Sequence, residues 1–355
     1  MHGPRVPLQS RTPHMPAASD SQSRLRQRYS ATNVCITGGA GFLGGWLTET
    51  LLSLGARVMI LDDLSTGDPL LPARLIDQHD GRCQFIEGSI LDPRAVSDAL
   101  ENASVVFHLA AQASAPASVE DPARTFDVNV EGTRRVADAA RATGTEKLIV
   151  TSSSAVYGDG EPPQRENAET RPLSSYAASK VADEAIVAAW ANSMGLPGMS
   201  LRLFNVYGPR QRADGPYAAV VTAFAKRVLD GKPPVIFGDG SQTRDFVHVR
   251  DVIRAFLLAG AAELKPMGEV ANVGSGVATR IDTLASTMCE LARERGVMPA
   301  PDGAERLPER QGDPLHSIAD TARCKALLGF EASIELKDGL RETMDWLAGG
   351  VVKVA

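Results

Sequence analysis

A tyrosine and a lysine four residues apart, Tyr176 and Lys180, are the residues of this sequence best suited to acid–base chemistry. Side chains four positions apart share one face of a helix, so the two would lie side by side. A free phenol is a poor base at neutral pH, but a neighbouring ammonium or a positively charged cofactor favours the phenolate. The pair therefore predicts a base that removes a proton from a substrate hydroxyl.

A run of hydroxyl residues, Thr151-Ser-Ser-Ser154, ends a predicted strand shortly before this pair. Ligands of parallel sheets bind beyond the carboxyl ends of the strands. A serine hydroxyl at this point can bridge a substrate oxygen and Tyr176 and relay a proton. Serine runs are also typical of simple turns, and the catalytic interpretation depends on a cofactor site elsewhere in the chain.

That cofactor site is predicted by the glycines Gly38, Gly41 and Gly44. They follow a short apolar run at 34–36 and precede a helical pattern of apolar residues that starts at Phe42. Gly38 allows a sharp turn, Gly41 lets the backbone approach a ligand, and Gly44 lets the helix pack closely. The free N–H groups at the start of the helix suit a pyrophosphate, so the segment predicts dinucleotide binding.

A second apolar run ends in Asp62, about 20 residues after the glycines, where a ribose would lie. A carboxylate accepts hydrogen bonds from the ribose hydroxyls of NAD and repels the 2′-phosphate of NADP. The sequence therefore predicts NAD as the cofactor.

Alternating strand and helix patterns predict a Rossmann-type α/β fold with a doubly wound parallel sheet. The candidate strands lie at residues 34–37, 58–61, 83–87, 105–109, 147–152 and 199–203. Residues 31–203 are predicted to form the NAD-binding domain, to which the chain returns near 235–275, with a further strand near Val270–Val273. Residues 204–350 are predicted to form mainly a smaller α/β substrate-binding lobe. Residues 1–30 have little apolar content and predict a disordered tail.

The composition excludes several classes of protein. The formal net charge of −6 gives no attraction to nucleic acid. No apolar run is long enough to span a membrane, and the apolar core of a secretory signal is missing. The four scattered cysteines form no C-x-x-C pair. We therefore expect no metal site and no disulfide framework, and we expect a reducing cytoplasm.

The motifs together resemble the extended short-chain dehydrogenase/reductase family, in its NAD-dependent nucleotide-sugar epimerase/dehydratase branch. They occur in family order from Val34 to Trp346, at residues 37–44, 108–111, 129–133, 152–158, 176–180, 203–210, 244–248 and 310–313. The resemblance implies that the chain is an isomerase or a related enzyme acting on a nucleotide-diphosphate sugar.

The resemblance also assigns roles to individual residues. The catalytic residues would be Ser153, Tyr176 and Lys180. The cofactor-binding residues would be Gly38, Gly41, Phe42, Leu43, Asp62, Ile90, Ala110 and Lys180. The substrate-binding residues would be Asn205, Arg244, Arg310, Asp313 and Ser317, with the arginine forks suited to phosphate oxygens. The sequence departs from its relatives at Ser89, where an aspartate normally contacts the adenine.

The reaction is predicted from the two residues that follow Ser153. Similar dehydratases carry an Asp–Glu pair there and similar decarboxylases a glutamate, whereas this chain has Ser154 and Ala155. We therefore favour a 4-epimerase that works through a transient 4-keto sugar. A 4,6- or 5,6-dehydratase, a UDP-glucuronate decarboxylase or epimerase, a tailoring epimerase of natural-product synthesis and a non-catalytic NAD(H)-binding sensor remain alternatives.

Two further expectations follow from the resemblance. The small side chain of Ser317, at a position that lines the hexose pocket in relatives, implies that UDP-N-acetylhexosamines are accepted as well as UDP-hexoses. Relatives dimerise through two helices, which correspond here to residues 128–141 and 178–193, and we expect a homodimer built the same way.

Overall fold

The computed structural model of the chain describes residues 18–213, 219–299, 301–309 and 314–350. Its strands are β1 Asn33–Thr37, β2 Arg57–Asp62, β3 Cys83–Glu87, β4 Val105–His108, β5 Lys147–Ser153, β6 Gly198–Leu203, β7 Asn205–Tyr207, β8 Val235–Phe237, β9 Thr243–His248, β10 Glu269–Val273, β11 Ala278–Arg280, β12 Glu305–Leu307 and β13 His316–Ser317.

The helices are α1 Ala18–Tyr29, α2 Phe42–Ser53, α3 Leu71–Gln78, α4 Pro93–Leu100, α5 Ala115–Glu120, α6 Pro122–Phe126, α7 Gly132–Ala142, α8 Ser175–Met194, α9 Val220–Leu229, α10 Val249–Ala261, α11 Ile281–Glu294, α12 Ala322–Leu328 and α13 Leu336–Leu347. A π-helical segment, Asp127–Glu131, joins α6 to α7, and a 3₁₀ turn, Ser154–Tyr157, follows β5. None of the described helices combines the length and the apolar character that a membrane crossing requires.

The main sheet has seven parallel strands in the order β10-β6-β5-β4-β1-β2-β3. Its central strands are almost wholly buried because helices cover both faces. One face packs against α2, α10 and α12, and the other packs against α4, α7 and α8. The strand order reverses direction between β1 and β4, which is where ligands bind in such sheets. The doubly wound fold and the six predicted strands are confirmed.

The C-terminal lobe is smaller. Strands β7, β9, β11 and β13 form one sheet, and β8 pairs with β12. Helices α9, α11 and α13 pack around these strands and share a separate apolar core. The predicted return to the main sheet occurs through α10 and β10. Strands β8 and β9, which begin at residues 235 and 243, belong to the lobe. The chain returns once more at α12, which packs on β10.

The N-terminal prediction is wrong for residues 18–29, which form helix α1 and are not a disordered tail. Leu25 and Tyr29 are buried against α10, and the Tyr29 hydroxyl donates a hydrogen bond to the Leu257 carbonyl at 2.7 Å. Arg28 also forms an ion pair with Glu146. Only these two apolar residues, one turn apart, anchor an otherwise polar helix. The low apolar content of residues 1–30 as a whole therefore gave no indication of the helix. Residues 1–17 lie outside the described part of the chain.

Candidate active site

The glycine-rich loop lies at the carboxyl end of β1, beside the end of β4. Gly38 adopts φ +72°, and a Cβ added there would lie 2.7 Å from the backbone nitrogen of Ala110. A Cβ on Gly44 would lie 2.0 Å from the carbonyl oxygen of Gly38. Both positions therefore exclude any side chain, because main-chain atoms occupy the space. These close main-chain contacts fix the conformation of the loop that is predicted to bind the pyrophosphate.

The start of α2 has open hydrogen-bond donors. Gly41 precedes the helix in an extended conformation, and no side chain caps the first turn. The first N–H groups of a helix have no partner within it, and together with the helix dipole they attract an anion. Phe42 and Leu43, the first two residues of the helix, are partly buried against the core. This arrangement fits the diphosphate of NAD.

Asp62 ends β2 and supports the same loop. Its Oδ2 accepts a hydrogen bond from the Ala40 N–H and its Oδ1 accepts one from the Leu64 N–H, each at 2.9 Å. Burial raises the pKa of the Asp62 carboxyl, while these two N–H groups act in the opposite direction. Each carboxylate oxygen has a second lone pair, so the side chain can also accept from the ribose hydroxyls.

The other predicted cofactor residues lie around the same crevice. Ala110 follows β4 and is partly exposed; its N–H donates to the Thr37 hydroxyl at 3.3 Å. Ile90 is buried and packs against Gly132, where an added Cβ would lie 2.4 Å from the isoleucine Cδ1. Ser89, at the position where relatives carry an adenine-binding aspartate, accepts a hydrogen bond from the Leu91 N–H instead. Contact of these residues with NAD stays a prediction.

Helix α8 carries the predicted base. Ser174 caps its first turn by accepting from the Ala177 N–H. Tyr176 is half-buried and Lys180 is almost fully buried one turn later. Lys180 Nζ donates to the Thr151 carbonyl at 2.9 Å and to Asp183 Oδ2 at 3.0 Å. Burial lowers the pKa of Lys180, but Asp183 and Tyr176 outweigh it and the net shift is upward. The Tyr176 phenol is therefore close enough to Lys180 to contribute to the pKa of its ammonium.

Ser153 is the last residue of β5, two residues after the Thr151 carbonyl that holds Lys180. Its Oγ accepts a hydrogen bond from the Ala155 N–H at 3.2 Å and so caps the 3₁₀ turn. Because accepting this bond uses only a lone pair of Oγ, the hydroxyl hydrogen of Ser153 can still be donated to another acceptor. Helix α8 packs along β5 and this turn, so the structure brings Ser153, Tyr176 and Lys180 to one end of the sheet.

A buried charged pair joins α8 to β6, and the sequence did not reveal it. Arg202 on β6 contacts Glu184 of α8 through two hydrogen bonds of 2.8 and 2.7 Å. Glu184 also accepts from the Ser152 hydroxyl at 2.5 Å. The guanidinium carbon lies 4.7 Å from the centre of the Tyr157 ring. Because these residues lie on different elements of the fold, no local sequence pattern indicates that they are in contact.

A second set of hydrogen bonds fixes the start of α8. The Tyr176 N–H donates to the Ser118 hydroxyl at 3.0 Å. Asn129, in the π-helical segment, donates to the Ser179 hydroxyl at 2.8 Å and accepts from the Gln112 N–H at 2.7 Å. The motif at 129–133 was a signal for Asn129, but only the structure shows that it joins the loop after β4 to α8.

The lobe contains a cavity of about 280 Å³. Asn205 and Arg244 both line it, among apolar side chains that include Phe224 and Phe237. Ser317 pairs with Arg244 in the β13–β9 register and is nearly buried. The structure thus brings three of the five predicted substrate residues together. Arg310 and Asp313 lie outside the described residues. Phe237, on a three-residue strand between two turns, was not predicted.

The sheet order, the glycine loop and Asp62 define a dinucleotide-binding α/β protein. Residues 34–274 match the model of the NAD dependent epimerase/dehydratase family. The chain belongs to this family, as its motifs predicted, and NAD is its cofactor.

Similar proteins share the fold and differ in their reactions. The UDP-glucose 4-epimerase of Mycolicibacterium smegmatis is 39% identical over 316 residues, 88% of this chain and 97% of that protein. The UDP-N-acetyl-α-D-glucosaminuronate decarboxylase of Bacillus cytotoxicus is 33% identical over 324 residues, 88% and 96% of the two chains. The structure of the UDP-N-acetylglucosamine 4-epimerase from Methanobrevibacter ruminantium, in complex with UDP-N-acetylmuramic acid, matches with a TM-score of 0.83 and 33% identity, covering 90% of this chain and 99% of that one.

Proposed function

We propose that the protein is an NAD-dependent 4-epimerase of UDP-hexoses or UDP-N-acetylhexosamines. The observation that carries the proposal is the site at the end of β5. It presents Tyr176, Lys180 and Ser153 together, while the two positions after Ser153 hold a serine and an alanine. The 4-epimerases among the similar proteins support the same reaction.

The side chains divide the proton chemistry between them. Tyr176 removes the proton of the sugar 4-hydroxyl, and Ser153 holds the same oxygen through its free hydroxyl hydrogen. Lys180 stabilises the phenolate, because its ammonium is fixed by Thr151 and Asp183 and still faces Tyr176. Bound NAD supplies a hydride acceptor and donor at C4, so that the sugar passes through a 4-keto form. Tyr176 then returns the proton to the epimeric alkoxide.

The neighbouring residues argue against loss of water or carbon dioxide. Dehydration needs a second acid and base placed near C5 and C6 of the sugar. Ser154 and Ala155 cannot ionise at neutral pH, and both are partly exposed beside Ser153. The site therefore provides acid–base chemistry at one carbon, as epimerisation requires.

The substrate is held unevenly in this proposal. Arg244 and Asn205 line the lobe cavity and would bind the diphosphate and the nucleoside. The loop after β4, with Ala110, Ala111 and Ala113, presents small side chains toward the site where the hexose would lie. A sugar clamped at its nucleotide and loosely held at its ring can turn over between the two hydride transfers.

A product assay tests the proposal. The purified enzyme would be incubated separately with UDP-glucose, UDP-N-acetylglucosamine, UDP-glucuronate and dTDP-glucose, and the products resolved by chromatography and mass. We expect the 4-epimer of UDP-glucose or UDP-N-acetylglucosamine, with no change in mass. A product lighter by water or by carbon dioxide would overturn the proposal in favour of a dehydratase or a decarboxylase.

We further propose a homodimer in the cytoplasm. The outer face of α8 carries exposed alanines, Ala185 and Ala189, which would let a second copy approach closely. All four cysteines are buried and unpaired, as a reducing compartment favours.

Light scattering on the double variant Ala185→Glu/Ala189→Glu tests the dimer. We expect a dimer for the parent protein and a monomer for the variant, because two buried carboxylates would face each other across the interface. Ala73→Glu, at an exposed position of α3, is the matched control and should leave the mass unchanged. A monomeric parent would refute the proposal.

A further inference from the structure

We propose, on the basis of the proposed function, that Asp183 is a positioning residue of the active site. Its carboxylate holds Lys180 in a buried ion pair and thereby sets the pH range in which Tyr176 and Lys180 work together.

The geometry of the pair supports this role. Asp183 is 0% exposed and Lys180 is 3% exposed, and their charged atoms are 3.0 Å apart on the same side of α8. A lysine ammonium has three N–H donors. Asp183 takes one and the Thr151 carbonyl takes another at 2.9 Å. The third remains available for Tyr176, whose phenol is close enough to contribute to the pKa of Lys180. Asp183 and the β5 backbone therefore fix the direction in which the ammonium presents its last proton.

A row of polar groups lies behind Asp183 and connects it to the cofactor loop. Burial, the larger effect, raises the pKa of the Asp183 carboxylate, and the Thr133 hydroxyl lies close enough to that carboxylate to lower it. The His108 ring lies between the hydroxyls of Thr133, 2.9 Å from Nε2, and Thr37, 2.6 Å from Nδ1. A neutral His108 donates from one ring nitrogen and accepts at the other, so the ring links the two hydroxyls.

The other charges around Lys180 are already compensated. Glu184, on the same helix, accepts hydrogen bonds from Nε and Nη2 of Arg202. Burial and the Lys180 charge lower the pKa of His108 to about 3, so this residue of β4 is neutral at physiological pH. β5 contributes a carbonyl and α7 contributes a hydroxyl, neither of which is charged. Asp183 is therefore the carboxylate that balances Lys180 in the described part of the site.

This balance predicts what Asp183→Asn does to proton release. With Asp183 present, the group of Asp183, Lys180 and protonated Tyr176 is neutral, and loss of a proton leaves it negative. With asparagine the group starts positive, and loss of a proton leaves it neutral. A buried group gives up a proton more readily when this removes net charge. The acidic limb of the pH–rate profile, set by ionisation of Tyr176, and the basic limb, set by deprotonation of Lys180, should therefore both move to lower pH.

Tyrosinate absorption measures the shift without any sugar substrate, so the result does not depend on which sugar is epimerised. The NAD-bound enzyme would be titrated in the Asp183 and Asp183→Asn backgrounds, each minus its Tyr176→Phe partner. Burial raises the pKa of Tyr157 to about 12, and the pKa values of Tyr29 and Tyr207 are raised further. The subtraction removes the absorption of every other tyrosine, because these are the same in both members of each pair, and so isolates Tyr176.

We expect Tyr176 to ionise about one pH unit lower in Asp183→Asn, a tenfold change in its acid constant. Asp138→Asn, an exposed carboxylate paired with Arg134 on α7, is the matched control and should not move the titration. An unmoved titration in a folded Asp183→Asn enzyme would overturn the proposal, and Asp183 would then be structural alone.

A double-mutant cycle covers the case in which Asp183→Asn folds but is too unstable for the titration. Neutralising Asp183 leaves the Lys180 charge buried and unpaired, whereas Lys180→Met/Asp183→Asn removes both charges. We expect the double variant to melt at a higher temperature than Asp183→Asn alone. Additive losses of Tm would show that the two side chains do not act as a pair, and would sink the proposal.

Discussion

Asp62 and Ala40 are joined by a hydrogen bond of 2.9 Å between the aspartate Oδ2 and the alanine N–H. This bond ties the end of β2 to the glycine loop that follows β1. The residue that would bind the adenine-side ribose therefore also shapes the loop that would bind the pyrophosphate. Two parts of the cofactor site that lie apart in sequence are built as one unit.

Gly44→Ala should damage this unit, and Gly45→Ala should not. A Cβ at Gly44 would lie 2.0 Å from the Gly38 carbonyl oxygen, whereas at Gly45 it would meet the end of the flexible Leu71 side chain at 2.7 Å. We expect Gly44→Ala to destabilise the fold by about 3 kcal/mol and to weaken NAD binding. Thermal melting and calorimetric NAD titration would check this. Equal behaviour of the two variants would contradict the close packing of loop and helix.

The cofactor site could be predicted from the sequence because its determinants are local. Glycine spacing and an acid at the end of the next strand are read within one strand–helix–strand unit. The supporting pairs could not be predicted, since Arg202 with Glu184 and Tyr29 with Leu257 meet only after the sheet is assembled. Short strands of the lobe, such as the one that carries Phe237, are too brief for a periodic pattern to develop.

Tyr176→Phe should abolish most of the turnover and leave the fold intact. The phenol is half-buried, and the hydrogen bond that fixes this residue is made by its main-chain N–H to Ser118. We expect kcat to fall by about 10²–10⁴-fold, as for loss of a general base, with KM and Tm little changed. Tyr207→Phe, in the core of the lobe, is the control. Near-normal turnover of Tyr176→Phe would exclude it as the base.

Acid should destabilise the protein through His108. Burial, with the Lys180 charge adding to it, lowers the pKa of His108 to about 3, whereas an unfolded histidine titrates near pH ~6.5. Between these values the unfolded chain binds a proton that the folded chain does not. Stability is therefore complete above the unfolded value and is lost as the pH falls, by about 3 kcal/mol at about pH 4.

Urea unfolding at a series of pH values would check this contribution. His108→Gln lacks the titrating ring, so its free energy of unfolding should fall less steeply with acid than that of the parent protein. The variant will be less stable at neutral pH, because the contacts with Thr37 and Thr133 change. The test is therefore the slope of the free energy of unfolding against pH, rather than its value at neutral pH. Parallel slopes would mean that His108 is not the acid-sensitive group.

Ser317→Tyr should change substrate choice without changing the chemistry. Ser317 is nearly buried in β13, directly beside Arg244 in the register with β9. A tyrosine there would fill space where the hexose substituent is proposed to lie. The substitution is on β13, whereas Tyr176 and Lys180 are on α8. Loss of room should exclude the larger acetamido group first, because an overfilled pocket costs about 1–3 kcal/mol.

We therefore expect kcat/KM for UDP-N-acetylglucosamine to fall at least about tenfold relative to UDP-glucose. Ser317→Ala keeps the position small and is the matched control; it should retain both substrates. If the tyrosine reduced both activities equally while Tm was unchanged, Ser317 would lie near the sugar without selecting it. If it changed neither, the hexose would have to bind elsewhere in the cleft, away from β13.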